Sequence, residues 1–127
     1  MIKFTLFFGA LFLAMAVGFG AFGAHALEAF LIEQGRLDTY QTAVQYQFYH
    51  ALGMLFTGLF LQKYPQMAWL KYASICFLLG ILFFSGSLYV LCFTGLGILG
   101  AITPIGGVLF ISAWLLLALT PLKLKMD

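Results

Sequence analysis

Two histidines are the side chains best suited to chemistry in this chain of 127 residues, because an imidazole can bind a metal ion or exchange a proton near neutral pH. His25 lies in the stretch GAFGAHAL and precedes Glu28 by three residues, and His50 ends the stretch YQTAVQYQFYH. Two imidazoles and a carboxylate could hold zinc or another transition metal, and two imidazoles could hold haem iron. The competing interpretation, that each histidine hydrogen-bonds backbone or tyrosine groups between helices, is favoured because no tight ligand motif is present. The identity of any cofactor therefore stays open.

Hydroxyl and amide side chains extend this candidate site. Tyr46 and Gln47 precede His50 by four and three residues, so all three share one face of a helix, and Ser85 shares a face with Tyr89 in the same way. Polar side chains at membrane depth usually face protein or a cavity, and we expect these faces to meet in a polar, ligand-binding pocket that opens outward. Its predicted lining is His25, Tyr46, Gln47, His50, Ser85, Ser87, Tyr89 and Thr103, with His25, Glu28 and His50 as the metal-ligand candidates.

The elements that must position these residues follow from composition. Hydrophobic residues make up 64% of the chain and charged residues 8%, whereas soluble domains carry about 25% charged residues. Three runs without charge cover 4–27, 39–62 and 72–122, and about 20 apolar residues suffice to cross a bilayer as a helix, so the last run crosses twice. Within it, Thr103-Pro104 predicts the start of the last helix. The predicted fold class is an all-α membrane protein, a single domain over 1–127 that forms a bundle of four transmembrane helices at about 4–26, 40–62, 71–93 and 104–121.

The lysines predict how this bundle is oriented. Five of them lie on one side of the predicted membrane and Arg36 alone lies on the other; they are Lys3, Lys63, Lys71, Lys123 and Lys125. By the positive-inside rule, both termini are cytoplasmic. The segment 27–38 after helix one, LEAFLIEQGRLD, has apolar residues at helical spacing and is predicted to lie on the outer surface as a short amphipathic segment. The net charge of +2 contains no basic block that would indicate a nucleic-acid partner.

The first predicted helix raises two further questions. Its end, Ala24-His25-Ala26, imitates a signal-peptide cleavage site, but the uncharged run before it exceeds the roughly 7 to 15 apolar residues of a signal peptide, so we expect a retained span. Small residues recur every four positions at Ala10, Ala14 and Gly18, and on helix two at Gly53 and Thr57. Such spacing lets helices approach closely, and we expect both faces to pack inside the bundle rather than in a dimer.

Three activities fit these residues less well. Proton-coupled export by a small four-helix protein needs a carboxylate within the membrane, and all four acidic residues lie at the interfaces or the C-terminus. Hydrolysis by Ser85 or Ser87 with His50 lacks a nucleophile turn and an orienting acid. Cys76 and Cys92 lie about 24 Å apart along one predicted helix, too far for a disulfide bond, which disfavours a thiol oxidoreductase.

Four stretches of the chain together resemble a known family. They are GAFGAHAL, YQTAVQYQFYHALGML, FFSGSLYVLCFTG and ITPIGGVLFISAW, in this order. The pattern resembles the small four-helix membrane proteins of domain-of-unknown-function family 423, of the YgdD and YwdK type, which are similar to animal transmembrane protein 256. The resemblance covers nearly the whole chain and includes the predicted pocket residues and Pro104. It implies a multi-pass protein of the bacterial cytoplasmic (inner) membrane and implies no established biochemical activity.

The function we expect from these observations is non-enzymatic. The leading prediction is an accessory or interaction subunit, or a binder of a lipid-like molecule with a polar pocket in the outer leaflet. The alternative is a histidine-pair site for a metal, haem or quinone, and the second alternative is a small oligomeric transporter. The expected partners are the lipid bilayer and a membrane protein or a second copy of the chain.

Overall fold

Regular structure in this protein is entirely helical over residues 1–123, the part of the chain that the computed structural model describes. The elements are α1 (Ile2–Ala24), α2 (Glu28–Glu33), α3 (Leu37–Lys63), α4 (Ala68–Ile81), a π-helical segment (Leu82–Gly86), α5 (Ser87–Thr94) and α6 (Ile98–Lys123). The helices α4 and α5 continue through the π-helical segment without a break, and we call this unit, residues 68–94, the central rod. Lys125, one of the lysines that predicted the orientation, lies outside the described residues.

Three of these helical units are long and apolar enough to cross a membrane. They are Ile2–Ala24, the central rod Ala68–Thr94 and Ile98–Leu122, with mean hydropathies of 2.1, 2.3 and 2.1. Helix α3 contains 27 residues but falls outside this set, because its first half carries several glutamines and His50 among its apolar residues. Composition therefore supports three of the four predicted spans and a membrane protein.

The long helices are arranged so that α3 and the central rod occupy the middle. Helix α1 packs along α3, α3 also packs along the rod, and α6 packs along the rod and contacts α3. The side chains of Thr5 and Ser74, each near the start of its helix, are joined by a hydrogen bond of 2.8 Å. Helix α1 and the rod therefore run in the same direction, and α3 runs against both. The main core contains Phe12, Ala51, Met54, Phe77, Ile81, Phe110 and Ala113.

Small residues allow the closest approaches between helices, though not all at the predicted positions. Gly53 and Thr57 are buried in α3, as predicted, and a Cβ at Gly53 would lie 2.7 Å from the Phe77 ring. On α1 the prediction was wrong, since Ala10 and Ala14 are exposed. The buried face of α1 consists instead of Thr5, Gly9, Phe12, Ala16 and Gly23. On this face the Phe12 ring packs into the main core, and Gly9 lets α1 approach Leu55 of α3 closely.

The start of the last helix differs from the prediction. Helix α6 begins at Ile98, so Thr103 and Pro104 lie inside it rather than at its start. Gly95, with φ of 68°, ends α5 in the left-handed conformation that favours glycine, and the chain re-enters a helix after a short turn. The Thr103 hydroxyl donates to the Leu99 carbonyl at 3.2 Å instead of capping the helix. Pro104 is the seventh residue of α6, past the first turn, so the helix lacks the backbone hydrogen bond that an N–H at this position would donate to the Gly100 carbonyl.

The segment between α1 and α3 contains the predicted short helix. Helix α2 presents Glu28 and Glu33 outward and buries Leu31 completely against Tyr40 and Cys92. Leu31 therefore fixes α2 to the bundle, and the end of the molecule that carries α2 is called the α2 end below. The location of this helix on the membrane surface stays a prediction.

Candidate functional site

Gln47 forms the most connected polar contact in the bundle. Its side chain is 2% exposed, its Nε2 donates to the Phe12 carbonyl at 2.8 Å, and its Oε1 accepts from the Tyr89 hydroxyl at 2.8 Å. These two bonds join α3 to α1 on one side and to α5 on the other. A buried amide is costly in an apolar environment unless its donors and acceptors are used, and here both ends of the amide are used.

The other predicted pocket residues on the central rod also form contacts between helices. Ser85 donates to the Ala43 carbonyl at 2.8 Å, which joins the π-helical segment to α3. Ser87 shares a hydrogen bond of 2.7 Å with Thr103, which joins α5 to α6. Within residues 1–123, no buried side-chain nitrogen or oxygen atom lacks a hydrogen-bond partner. These side chains therefore hold helices together and do not line one shared polar cavity.

Tyr46 and His50 belong to a stack of aromatic rings between α3, the rod and α6. The His50 ring lies face to face with Phe110, with centroids 3.4 Å apart and an interplanar angle of 11°. One turn earlier on α3, the Tyr46 ring stacks on Phe84 at 4.4 Å and 13°. Phe84 and Phe110 were not predicted as part of the site, because periodicity along one helix does not reveal which residue of another helix lies opposite.

His25 lies far from His50. It follows the last residue of α1, where its side chain is exposed and its backbone N–H donates to the Phe22 carbonyl at 3.4 Å. The neighbouring Gly23 lies directly against Tyr40, and His50 is about 15 Å further along α3 at about 1.5 Å per residue. The contact expected between His25 and His50 is therefore not formed.

The three metal-ligand candidates do not converge either. Glu28 is exposed on α2, at the same end as His25, whereas His50 lies in the middle of α3. Throughout the described range 1–123, no group of three or more His, Cys, Asp and Glu side chains could hold a metal ion. Both cysteines are free, as their predicted separation requires.

Open space at the α2 end includes an apolar groove and a smaller cavity of about 170 Å³ whose lining contains Gln41 and Gln45. The groove of about 230 Å³ lies between α1, α3 and α5 and is lined by Phe19, Phe22, Leu27, Tyr40, Tyr89 and Phe93. Of the predicted pocket residues, only Tyr89 lines this groove, while His25 lines a separate, shallow cavity of about 330 Å³ on the outside of α1. The Tyr40 and Tyr89 rings contact each other edge to face at 5.4 Å, and their hydroxyls are bonded to the Phe19 carbonyl and to Gln47. The groove therefore presents ring surface and aliphatic side chains.

Long apolar helices joined by buried hydrogen bonds define an integral membrane protein. The chain belongs to the family described as "Protein of unknown function (DUF423)", which matches residues 19–107. This confirms the family resemblance.

Relatives of similar length extend the match to nearly the whole chain. The chain is 42% identical to the UPF0382 membrane protein YwdK of Bacillus subtilis, over 95% of this chain and 98% of the relative. It is 45% identical to the UPF0382 membrane protein SH2409 of Staphylococcus haemolyticus, over 95% and 97% of the two chains. It is 35% identical to the UPF0382 inner membrane protein YgdD of Escherichia coli, over 97% and 92%. No solved structure matches. The chain is therefore a membrane protein of the bacterial inner membrane.

Replacement of Gln47 tests whether its hydrogen bonds stabilise the bundle. Gln47→Leu keeps a side chain of similar size and removes both bonds, so the Tyr89 hydroxyl loses its acceptor; we expect the free energy of unfolding to fall by about 1–3 kcal/mol. Gln45→Leu is the matched control, because Gln45 is exposed on the same helix. Thermal and denaturant unfolding in one detergent measure both. Equal stability of the two variants would contradict the role assigned to Gln47.

Proposed function

We propose that the chain crosses the membrane four times, with α3 as the fourth span and both termini in the cytoplasm. Helix α3 has 27 residues, about 40 Å of helix, which exceeds the roughly 30 Å of a bilayer core. Two of its polar side chains near the middle of the helix contact neighbouring helices: Gln47 is bonded to α1 and α5, and His50 stacks on Phe110 of α6, which lowers their cost at membrane depth. The antiparallel arrangement brings Lys3, Lys63 and Lys71 to the end opposite Arg36, in agreement with the positive-inside rule.

Labelling of single cysteines tests this topology. In a variant without Cys76 and Cys92, a cysteine at Gln34 lies in the turn after α2 and a cysteine at Gln66 lies in the turn between α3 and α4, and both positions are exposed. A membrane-impermeant maleimide added to intact cells is expected to label Gln34→Cys and to label Gln66→Cys only after lysis. Labelling of both cysteines in intact cells would mean that α3 does not cross, and the reverse pattern would invert the orientation.

We infer that the molecular function is non-enzymatic and consists of binding one hydrocarbon chain of a lipid-like molecule in the outer leaflet. The observation that carries this inference is the apolar groove of about 230 Å³ at the α2 end. Its volume is below the roughly 300–1,000 Å³ of sites that enclose a whole small molecule, so it fits a segment of a chain rather than a headgroup. None of its six lining residues is charged. Apolar walls without charge match a hydrocarbon chain.

The position of the groove supports a ligand that comes from the bilayer. The groove lies between three helices at the end where the polar segment α2 meets the bundle. In the proposed topology, this end lies at the surface of the inner membrane that faces away from the cytoplasm. A hydrocarbon chain in the groove would leave its headgroup beside α2. The distance between His25 and His50 removes the geometric basis of a shared histidine-pair site, and no observation favours transport over lipid binding.

Filling the groove tests this function. Leu27→Trp places a larger side chain in the groove, whereas Val17→Trp adds the same side chain on an α1 position that is 64% exposed and does not line it. We expect native mass spectrometry of the purified protein to detect a retained lipid on the parent and on Val17→Trp, and at least several-fold less on Leu27→Trp. The proposal would be wrong if Leu27→Trp retained as much lipid as Val17→Trp.

A further inference from the structure

We propose that His50 accepts a hydrogen bond from the hydroxyl group of a lipid-soluble phenol or quinol, which docks from the bilayer against the aromatic stack between α3 and α6. The site is separate from the apolar groove at the α2 end, so it does not depend on the lipid-binding function proposed above, but it rests on the proposed crossing of the membrane by α3.

The hydrogen bond of the His50 ring fixes which nitrogen remains available. Nδ1 lies 2.6 Å from the backbone carbonyl oxygen of Tyr46. A carbonyl oxygen can only accept, so Nδ1 carries the proton of the bond. In the neutral ring, Nε2 is then an acceptor with a free lone pair.

No residue in the described range 1–123 donates a hydrogen bond to this nitrogen. The side chain of His50 is only 7% exposed. Over the same range, no fully enclosed side-chain nitrogen or oxygen atom lacks a hydrogen-bond partner. The unbonded Nε2 is therefore not fully enclosed, and this edge of the ring reaches the surface. Within a hydrocarbon environment an unused acceptor costs free energy, because neither lipid tails nor water supply a donor there.

The depth of His50 makes this cost large. The residue lies at the midpoint of α3 (Leu37–Lys63), about 20 Å from either end at about 1.5 Å per residue. With α3 as a span, this position falls near the centre of the bilayer, where the hydrocarbon core is about 30 Å thick. A donor for Nε2 must therefore come from an apolar molecule that enters from the lipid.

The surroundings of Nε2 indicate an aromatic ligand. Four uncharged aromatic rings lie with their centroids within 6.2 Å of the His50 ring: Tyr46 on α3, Phe77 on α4, and Phe110 and Trp114 on α6. Tyr46 and Trp114 are 38% and 43% exposed, so aromatic side chains near His50 reach the surface of the bundle. Aromatic rings stack on or meet one another edge to face with a gain beyond simple burial, which favours a flat aromatic headgroup over an aliphatic alcohol.

A metal ion or haem matches this site less well than a single hydroxyl. One imidazole supplies one ligand, and within the described residues no further His, Cys, Asp or Glu side chains complete a metal-binding group around it. One neutral acceptor between aromatic rings corresponds to one donor on an aromatic ring, which is the chemistry of a phenol or quinol.

The proposal is tested by comparing the binding of a quinol and of its quinone to the parent protein and to His50→Phe. Trp114 lines the site, and Trp69→Phe leaves it as the single tryptophan, so its fluorescence reports on binding. The probes are decyl-ubiquinol, kept reduced, and decyl-ubiquinone, which has no hydroxyl to donate. In this background, His50→Phe keeps a flat ring against Phe110 and removes the acceptor, and we expect quinol binding to weaken about tenfold while quinone binding stays unchanged.

Several outcomes would overturn the proposal. Equal quinol affinity of the parent and His50→Phe would mean that the proposed hydrogen bond is not formed. Equal affinity of the parent for quinol and quinone would mean the same, and this comparison does not require His50→Phe to fold. Binding of dodecanol with the same dependence on His50 would contradict the requirement for an aromatic ligand. Binding of 4-nonylphenol with that dependence would support the proposal and show that one phenol hydroxyl is sufficient. Leu27→Trp is expected to leave quinol binding unchanged, so failure here is distinguishable from failure of the groove.

Discussion

The amide of Gln47 lies inside an apolar bundle, and two different neighbouring helices supply its acceptor and its donor. Phe12 on α1 provides a backbone carbonyl, and Tyr89 on α5 provides a hydroxyl. Rotation of α3 by one residue, or its displacement by one turn, would break both bonds and leave a polar group without partners in lipid. This constraint fixes α3 between α1 and the central rod, and the positions of the groove and the aromatic stack follow from it.

The same constraint explains why the polar residues in this chain are poor guides to a ligand. Ser85, Ser87 and Thr103 were predicted to line a polar pocket, but their hydroxyls serve contacts between helices. His50 differs from them, since one of its ring nitrogens is bonded within α3 and the other is not used by the described part of the protein. Within residues 1–123, His50 is therefore a buried polar side chain with a ring nitrogen left for a ligand. The hydrocarbon ligand proposed for the α2 end depends instead on shape and apolar surface.

Local properties of the sequence were sufficient to predict the helices and the family. Long uncharged runs predicted α1 and the central rod, since a membrane helix must satisfy its own backbone, and the small residues at Gly53 and Thr57 predicted a packing face of α3. Local signals failed where the outcome depends on another helix. Ala10 and Ala14 matched a packing pattern but face outward, Thr103 resembled a helix start but bonds to Ser87, and His25 was paired with a partner at a different depth. The π-helical segment and the stacking of Phe84 on Tyr46 had no signal in the sequence, and neither did the close approach of Gly106 on α6 to the Phe84 backbone.

The claim that the rest depends on is that Gln47 and Tyr89 are coupled across α3 and α5. A double-mutant cycle measures this coupling directly, from the free energies of unfolding of the parent, Gln47→Leu, Tyr89→Phe and the double variant in one detergent. If the bond is formed, removing the second partner should cost less than removing the first, with a coupling free energy of about 0.5–1.5 kcal/mol. A coupling free energy near zero, with the two single effects simply adding, would contradict it.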